Sequence, residues 1–259
     1  MQTNQTPNLS RSPTRRTVSD LASGWDVSPP FFVVNFKAYL YGRNAVRFCS
    51  EAEKIGRRHG VGVIVVPQVV DISRIAESTE ALVFAPHLDP IAPGRGTGSV
   101  LPEAVKEAGA VGAMFNHAER RMTLDEIGLA IKRADEVGLV SMVCADRPED
   151  VPAIAGYNPN IIGTEPPGLI GTAKSVGRMD KDFVRRSAEI VKKINPRIIV
   201  GSGAGVVTGA DAGEIIRLGA EMTGATSGIL TSQDPVKTLD EMVKAVKNAW
   251  DERTRRSNK

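Results

Sequence analysis

A single α/β domain closed as a (β/α)8 barrel is the fold class the sequence predicts, on three observations. Short apolar runs recur eight times: FFVV from 31, VGVIVV from 61, ALVFA from 81, AVGAMF from 110, LVSMVC from 139, NIIG from 160, RIIV from 197 and a weaker EMTGAT from 221. They alternate little, as strands buried on both faces of a parallel sheet do. Helical periods fill the gaps, and parallel strands need such crossovers on the outside of the sheet.

After the first run, Ala45, Phe48, Cys49, Ala52 and Ile55 repeat at three and four, one apolar face of a helix. Thr123, with Glu126 three residues on, reads as a capping box that opens a helix at Leu124. Phe183, Val184, Ser187, Ile190, Val191 and Ile194 give a further stripe, and Leu239, Met242, Val243, Val246 and Trp250 the last. Closing eight βα units into a barrel is economical because strand order never reverses. An open doubly wound sheet ranks second, since the G-x-G-x-x-G expected after its first strand is absent.

The barrel is expected to span residues 29–251, a length common for one α/β barrel. Residues 1–28, rich in Ser, Thr, Pro, Asn and Arg, are expected to be disordered or loosely docked, and residues 252–259 to fray. An organelle transit peptide is a weaker alternative for the N-terminal segment, which is acid-poor but has no convincing amphipathic helix. Lys and Arg number 33 against 30 acidic residues, with Arg11, Arg15 and Arg16 in that segment, so the body is near neutral and no nucleic-acid partner is expected. No run approaches the ~18 apolar residues that would suggest a membrane span. Two cysteines, Cys49 and Cys144, are too few for a disulfide framework and lack zinc-ligand spacing, so a reducing compartment, the cytoplasm, is expected.

In such a barrel, chemistry belongs at the C-terminal ends of the strands. Those positions hold Asn35 and Lys37 after the first run, Asn116, His117 and Glu119 after the fourth, Cys144 at the fifth and Glu165 after the sixth. Gly203 and Gly205 follow the seventh, and Thr226, Ser227 and Gly228 the eighth. Glycine-rich turns let backbone N–H groups approach a phosphate, and the loops after strands 7 and 8 are the usual place, so a phosphorylated small molecule is the expected ligand. No metal or other cofactor is expected: His87 with Asp89 and His117 with Glu119 match no recognised ligand spacing. The first pair reads as organising its own loop, His59 as closing a helix, and Arg120 and Arg121 as ion-pair or helix-end partners. Cys144, in an apolar run, reads as a packing residue. Lys37 beside Asn35 suits an ammonium that neutralises an oxyanion better than a Schiff-base lysine.

"VNFKAY", "APHLDPIAPGRGTGSVLPEAVKEAGAVGAMFNHAERRM", "VCADRPEDVPAIAGYNPNIIGTEPPGLIGT" and "GSGAGVVTG" occur in that order, and together the chain resembles the short archaeal-type triosephosphate isomerases from about residue 31 to 249. The resemblance implies a TIM barrel without cofactor and roles for named residues. Lys37 stabilises the enediolate with Asn35 as its neighbour, His117 donates to the substrate oxygens as a neutral imidazole, Glu119 lies near Lys37, and Glu165 shuttles the proton. It also implies that PPGLIGTA, residues 166 to 173, forms a lid, that Gly171, Gly205, Thr226 and Ser227 offer amides to the phosphate, and that the chain is a homo-oligomer, dimer or tetramer. Ala118, Gly168 and Gly177 depart from the family's pattern, and MTGATSGIL replaces its solid apolar last strand. That change keeps two alternatives open: an isomerase of four-carbon sugar phosphates, or a phosphate-binding barrel without turnover.

Overall fold

The computed structural model describes residues 28–165, 181–203 and 205–257. Eight parallel strands close in sequence order: β1 (Phe31–Asn35), β2 (Gly62–Val66), β3 (Leu82–Ala85), β4 (Gly112–Phe115), β5 (Val140–Ala145), β6 (Ile161–Thr164), β7 (Ile199–Ser202) and β8 (Met222–Gly224). Between and after them run α1 (Gly42–His59), α2 (Ile72–Ser78), α3 (Pro102–Glu107), α4 (Leu124–Val137), α5 (Val151–Gly156), α6 (Lys181–Ile194), α7 (Gly209–Arg217), α8 (Ser227–Leu230) and α9 (Pro235–Ser257). Each of the eight apolar runs supplies one strand of this (β/α)8 barrel.

The lack of alternation in those runs has a physical cause, because successive side chains enter two different apolar layers. Phe31, Val33, Ile64, Val66, Phe84, Met114, Met142, Cys144 and Met222 fill the barrel interior. Their neighbours Phe32, Val34, Val63, Val65, Phe115 and Val143 join the outer layer, where helix residues such as Ala45, Cys49, Ala52 and Ile55 cover them. The rings of Phe36 and Phe48 meet edge to face there at 5.6 Å. The apolar periods read from α1 and α9 are buried, Trp250 partly. The Thr123 capping box is formed: its hydroxyl accepts from the Glu126 amide, and the Glu126 carboxylate accepts from the Thr123 amide at 2.7 Å.

The weak eighth run is a strand because it is small. Val33 pairs with Gly224 across the closing seam, and the Ala225 amide donates to the Val33 carbonyl at 3.0 Å. A Cβ at Gly224 would stand 2.5 Å from that carbonyl oxygen, so any larger residue would push β1 and β8 apart. Thr223 is fully accommodated, its buried hydroxyl donating to the Ser202 carbonyl at 2.9 Å. The residues that weaken this strand's apolar signature therefore close the barrel rather than loosen it.

Two expectations need correcting. The stripe on α6 is narrower than its periodicity suggests: Val184, Ser187 and Val191 are buried, but Ile190 and Ile194 are 37% and 44% exposed. Residues 252–257, expected to fray, continue α9. Arg253 donates to the carbonyls of Ile216 and Ala220 at 2.6 and 2.7 Å and lies over the Trp250 ring, while Arg217 pairs with Glu252, so the last turns are tied to the end of α7. Residues 1–27, 258 and 259, from the two expected tails, lie outside the described residues.

Candidate active site

At the C-terminal end of the barrel, Asn35, His117, Cys144, Glu165, Ser202, Gly203 and Thr226 border one cavity of about 490 Å³ of empty space, floored by Met114, Met142 and Met222. The residues come from different strands, so barrel closure alone brings them together. Among the described residues, no group of three or more His, Cys, Asp or Glu side chains could hold a metal ion.

The polar pair of β1 has a local explanation. Lys37 adopts a left-handed backbone, φ 47, which is unusual for a residue with a Cβ. The Asn35 side chain holds this turn by accepting from the Lys37 amide at 2.9 Å, and Gln68 donates to the Lys37 carbonyl from the loop after β2. The turn brings the Lys37 ammonium to the Glu119 carboxylate, 2.6 Å away in the loop after β4. Burial opposes the charge on Glu119, but its hydrogen bond to Lys37 and the charges of Lys37 and His117 outweigh that, and its pKa is lowered.

His117 is buried. Its Nδ1 accepts from the Glu119 backbone amide at 3.1 Å, so a neutral ring carries its proton on Nε2. Burial first, and then the charge of Lys37, hold this imidazole below its ordinary pKa of 6.5, against the opposing effect of Glu119 and Asp146. The neutral ring is therefore the dominant form at pH 7. Its Nε2 faces the Glu165 carboxylate at 3.9 Å.

Glu165 follows β6, its amide bonded to the Ala145 carbonyl at 3.0 Å. Its side chain is 22% exposed. Burial raises its pKa above the ordinary 4.5, Lys37 draws it down, and Asp146 and Glu119 push it up. The Cys144 thiol is likewise pushed well above its ordinary value by burial and by the Glu165 and Asp146 charges, which makes it a poor nucleophile.

Of the residues expected to meet a phosphate, Thr226 lines the cavity, and Ser227 beside it is exposed at the start of α8. Gly205 turns the chain after β7 with φ 86. Gly171 and the PPGLIGTA segment lie outside the described residues. His87, as read from the sequence, organises its own loop: it bonds Asp89 at 3.1 Å, and Asp89 accepts from the Val100 amide at 2.6 Å.

The sequence reading did not single out Asp146, which is buried at the end of β5 and paired with Arg121. Its sequence signal is a charged residue two positions beyond Cys144, at the mouth end of a buried strand. Asn116 also does more than mark a strand end. With φ 58, it donates to the Cys144 carbonyl at 2.8 Å and accepts from the Met122 amide at 2.9 Å, tying the loop after β4 to the end of strand β5.

A neutral imidazole and a carboxylate of raised proton affinity, facing one small cavity beside an ammonium, suit proton abstraction next to a carbonyl. Comparison with known proteins agrees with this chemistry. A family model for triosephosphate isomerase matches residues 30–228. The triosephosphate isomerase of Methanobacterium bryantii is 42% identical over 219 residues, 84% of this chain and 97% of the relative. Those of Methanothermus fervidus and Sulfolobus acidocaldarius are 38% and 37% identical over 83% and 88% of this chain, and 97% and 99% of the relatives. Site geometry and full-length similarity thus converge, and the chain belongs to the triosephosphate isomerase family.

Proposed function

We propose that Glu165, His117 and Lys37 carry the family's reaction, the interconversion of D-glyceraldehyde 3-phosphate and dihydroxyacetone phosphate. Glu165 removes the proton from the carbon beside the carbonyl, and the electron pair moves onto the carbonyl oxygen to give an enediolate. His117 Nε2–H donates to the two substrate oxygens and relays the proton between them, while the Lys37 ammonium offsets the developing negative charge. Glu165 returns its proton to the neighbouring carbon, and the sum of the steps is isomerisation. Asn35 fixes the Lys37 turn, and Glu119 orients the ammonium. The amides of Gly205, Thr226 and Ser227 are assigned to the phosphate.

The observation that carries this reading is the 3.9 Å approach of His117 Nε2 to the Glu165 carboxylate at the cavity, where both can address adjacent atoms of one small substrate. The test is turnover of glyceraldehyde 3-phosphate in D2O. Rapid formation of dihydroxyacetone phosphate is expected, with carbon-bound deuterium in those turnovers in which the protonated Glu165 exchanges with solvent before it reprotonates the neighbouring carbon. Undiminished turnover by Glu165→Gln would sink proton transfer through Glu165, and turnover of a four-carbon sugar phosphate alone would sink the triose assignment.

The exposed apolar side chains Tyr39, Tyr41, Val69 and Val70 sit on the adjoining loops after β1 and β2 and support a homo-oligomer, dimer or tetramer. Light scattering should give a multiple of 27.7 kDa for the parent, and Tyr41→Glu with Val70→Glu a smaller species. An unchanged mass in the variant would place the contact elsewhere. A cytoplasmic location is proposed with it, on the two free and buried cysteines. Among the described residues, no helix is long and apolar enough to cross a membrane.

A further inference from the structure

Along β4 the side chains alternate between the two apolar layers, as strand geometry requires: Ala113 and Phe115 join the outer layer and Met114 the barrel interior. Carried on unbroken, that alternation would put Asn116 inside the barrel mouth and turn His117 away from it. The structure shows the reverse. His117 borders the cavity with Met114, whereas Asn116 lines an outer crevice of about 320 Å³ beside Arg121 and Met122. Phe115 and Asn116 thus both face outward, and the phase of the strand shifts by one residue just before the imidazole.

The cause lies at Asn116 itself, whose backbone is left-handed with φ 58. Asparagine is among the few residues with a Cβ that visit this region readily, and an outlier held next to a reacting group points to a function for the turn. Glu165 needs no such device. Ile161 faces the interior, Ile162 the outer layer, and Gly163 the cavity, so ordinary alternation along β6 brings Glu165 into the mouth.

The side chain of Asn116 then holds the turn that its backbone makes. The register of β4 on β5 ends with Phe115 opposite Val143. Beyond it the Cys144 carbonyl accepts from the Asn116 carboxamide at 2.8 Å, so the side chain extends the ladder after the backbone has turned out of it. The carboxamide oxygen accepts from the Met122 amide at 2.9 Å and closes the loop. Asn116 is 6% exposed, and both bonds are therefore made away from water. Between these anchors the Arg120 amide donates to the His117 carbonyl at 2.7 Å and the Glu119 amide to the ring Nδ1 at 3.1 Å. Turn, clamp and ring form one unit, which leaves His117 Nε2 facing the Glu165 carboxylate.

We propose that Asn116 is the positioning residue of His117: its left-handed turn shifts the phase of the strand so that the imidazole enters the cavity, and its carboxamide locks that phase to β5. The proposal rests on His117 acting on the substrate oxygens, and its test reads the ring both through turnover and without it. Three variants of the full chain are compared. Asn116→Val disfavours positive φ because valine is β-branched, whereas Asn116→Gly adopts it freely but has no carboxamide. Asn158→Val is the matched control, since Asn158 has φ 61 and precedes β6 at the opposite end of the barrel. All three are expected to melt below the parent. Only Asn116→Val should lose about 10²-fold in kcat, the scale of a reacting group displaced by ~1 Å, while Asn116→Gly stays within about tenfold of the parent. The chain has three histidines, so 15N NMR resolves His117, assigned by its loss in His117→Gln. The parent and Asn116→Gly should show one neutral tautomer with the proton on Nε2, and Asn116→Val an average of the two.

A kcat for Asn116→Val within about tenfold of the parent would overturn the proposal, because a misaimed imidazole costs more than that. Equal losses in Asn116→Val and Asn116→Gly would overturn it as well, since the turn would then not be what aims the ring. So would a loss in Asn158→Val as large as that in Asn116→Val, which would trace to folding alone. If Asn116→Val does not fold, the glycine variant decides: a fall in kcat beyond about 10²-fold, or loss of the Nε2–H tautomer, overturns the proposal. Full activity in His117→Gln would instead refute the role of His117 in the reaction and leave the 15N spectra of the Asn116 variants to decide its positioning.

Discussion

Glu165→Gln lowers kcat by about 10³-fold or more, the scale lost when a positioned general base is removed. Glutamine keeps the size of the side chain and a carbonyl oxygen near His117 Nε2, so substrate still binds and KM changes far less than kcat. What is lost is an atom able to accept the carbon-bound proton. The backbone that places residue 165 is indifferent to the change, since the amide bonded to the Ala145 carbonyl remains. The same assignment fixes the sign of the acid limb. Glu165 must be ionised in the free enzyme, and burial raises its pKa above the ordinary 4.5. In the parent, kcat/KM therefore declines as pH falls through that raised value, and the residual activity of Glu165→Gln lacks this limb. Stopped-flow and steady-state assays across pH read both effects. A loss smaller than tenfold, or an acid limb that survives in the variant, would assign the base elsewhere.

How much of this was legible in the sequence depends on the range of the interactions involved. Strands buried on both faces announce themselves as unbroken apolar runs, and all eight were readable before any contact was known. Barrel topology then converts strand ends into neighbours, which is why Asn35, His117 and Glu165 could be placed at one mouth from one-dimensional positions. The capping box at Thr123 was readable because it is local. The left-handed turn at Lys37 was not, because nothing in NFK marks the residue for positive φ; the Asn35 side chain and Gln68 from another loop hold it.

Long-range polar contacts were hidden as well. Asp146 and Arg121 lie 25 residues apart and meet only because the loops after β4 and β5 fold over one crevice. ERTRRS reads as a fraying end, and its sequence gives no sign that Arg253 lies over Trp250 and reaches two carbonyls at and just beyond the end of α7. Gly224 looked like a weakness in a strand, whereas its missing Cβ lets β8 come close to β1.

Lys37→Met is expected to cost about 10²- to 10³-fold in kcat/KM, the range found when a preorganised donor to a developing oxyanion is removed. The loss should divide differently from that of Glu165→Gln. An ammonium attracts the substrate's charged oxygens in the ground state as well as in the transition state, so KM rises while kcat falls. Folding should survive, because methionine has a similar unbranched stem and the amide of residue 37 still donates to Asn35. The pH behaviour makes the prediction specific. Lys37 draws the Glu165 pKa down against burial and helps hold His117 below 6.5, so without it both proton affinities rise. Glu165 then stays protonated to higher pH, and the acid limb of kcat/KM moves upward. Glu119, left without its ammonium, also loses the hydrogen bond that keeps its pKa low. A variant with reduced kcat/KM but an unmoved acid limb would show that Lys37 acts on the substrate alone. A variant with near-parental activity would remove Lys37 from the site altogether.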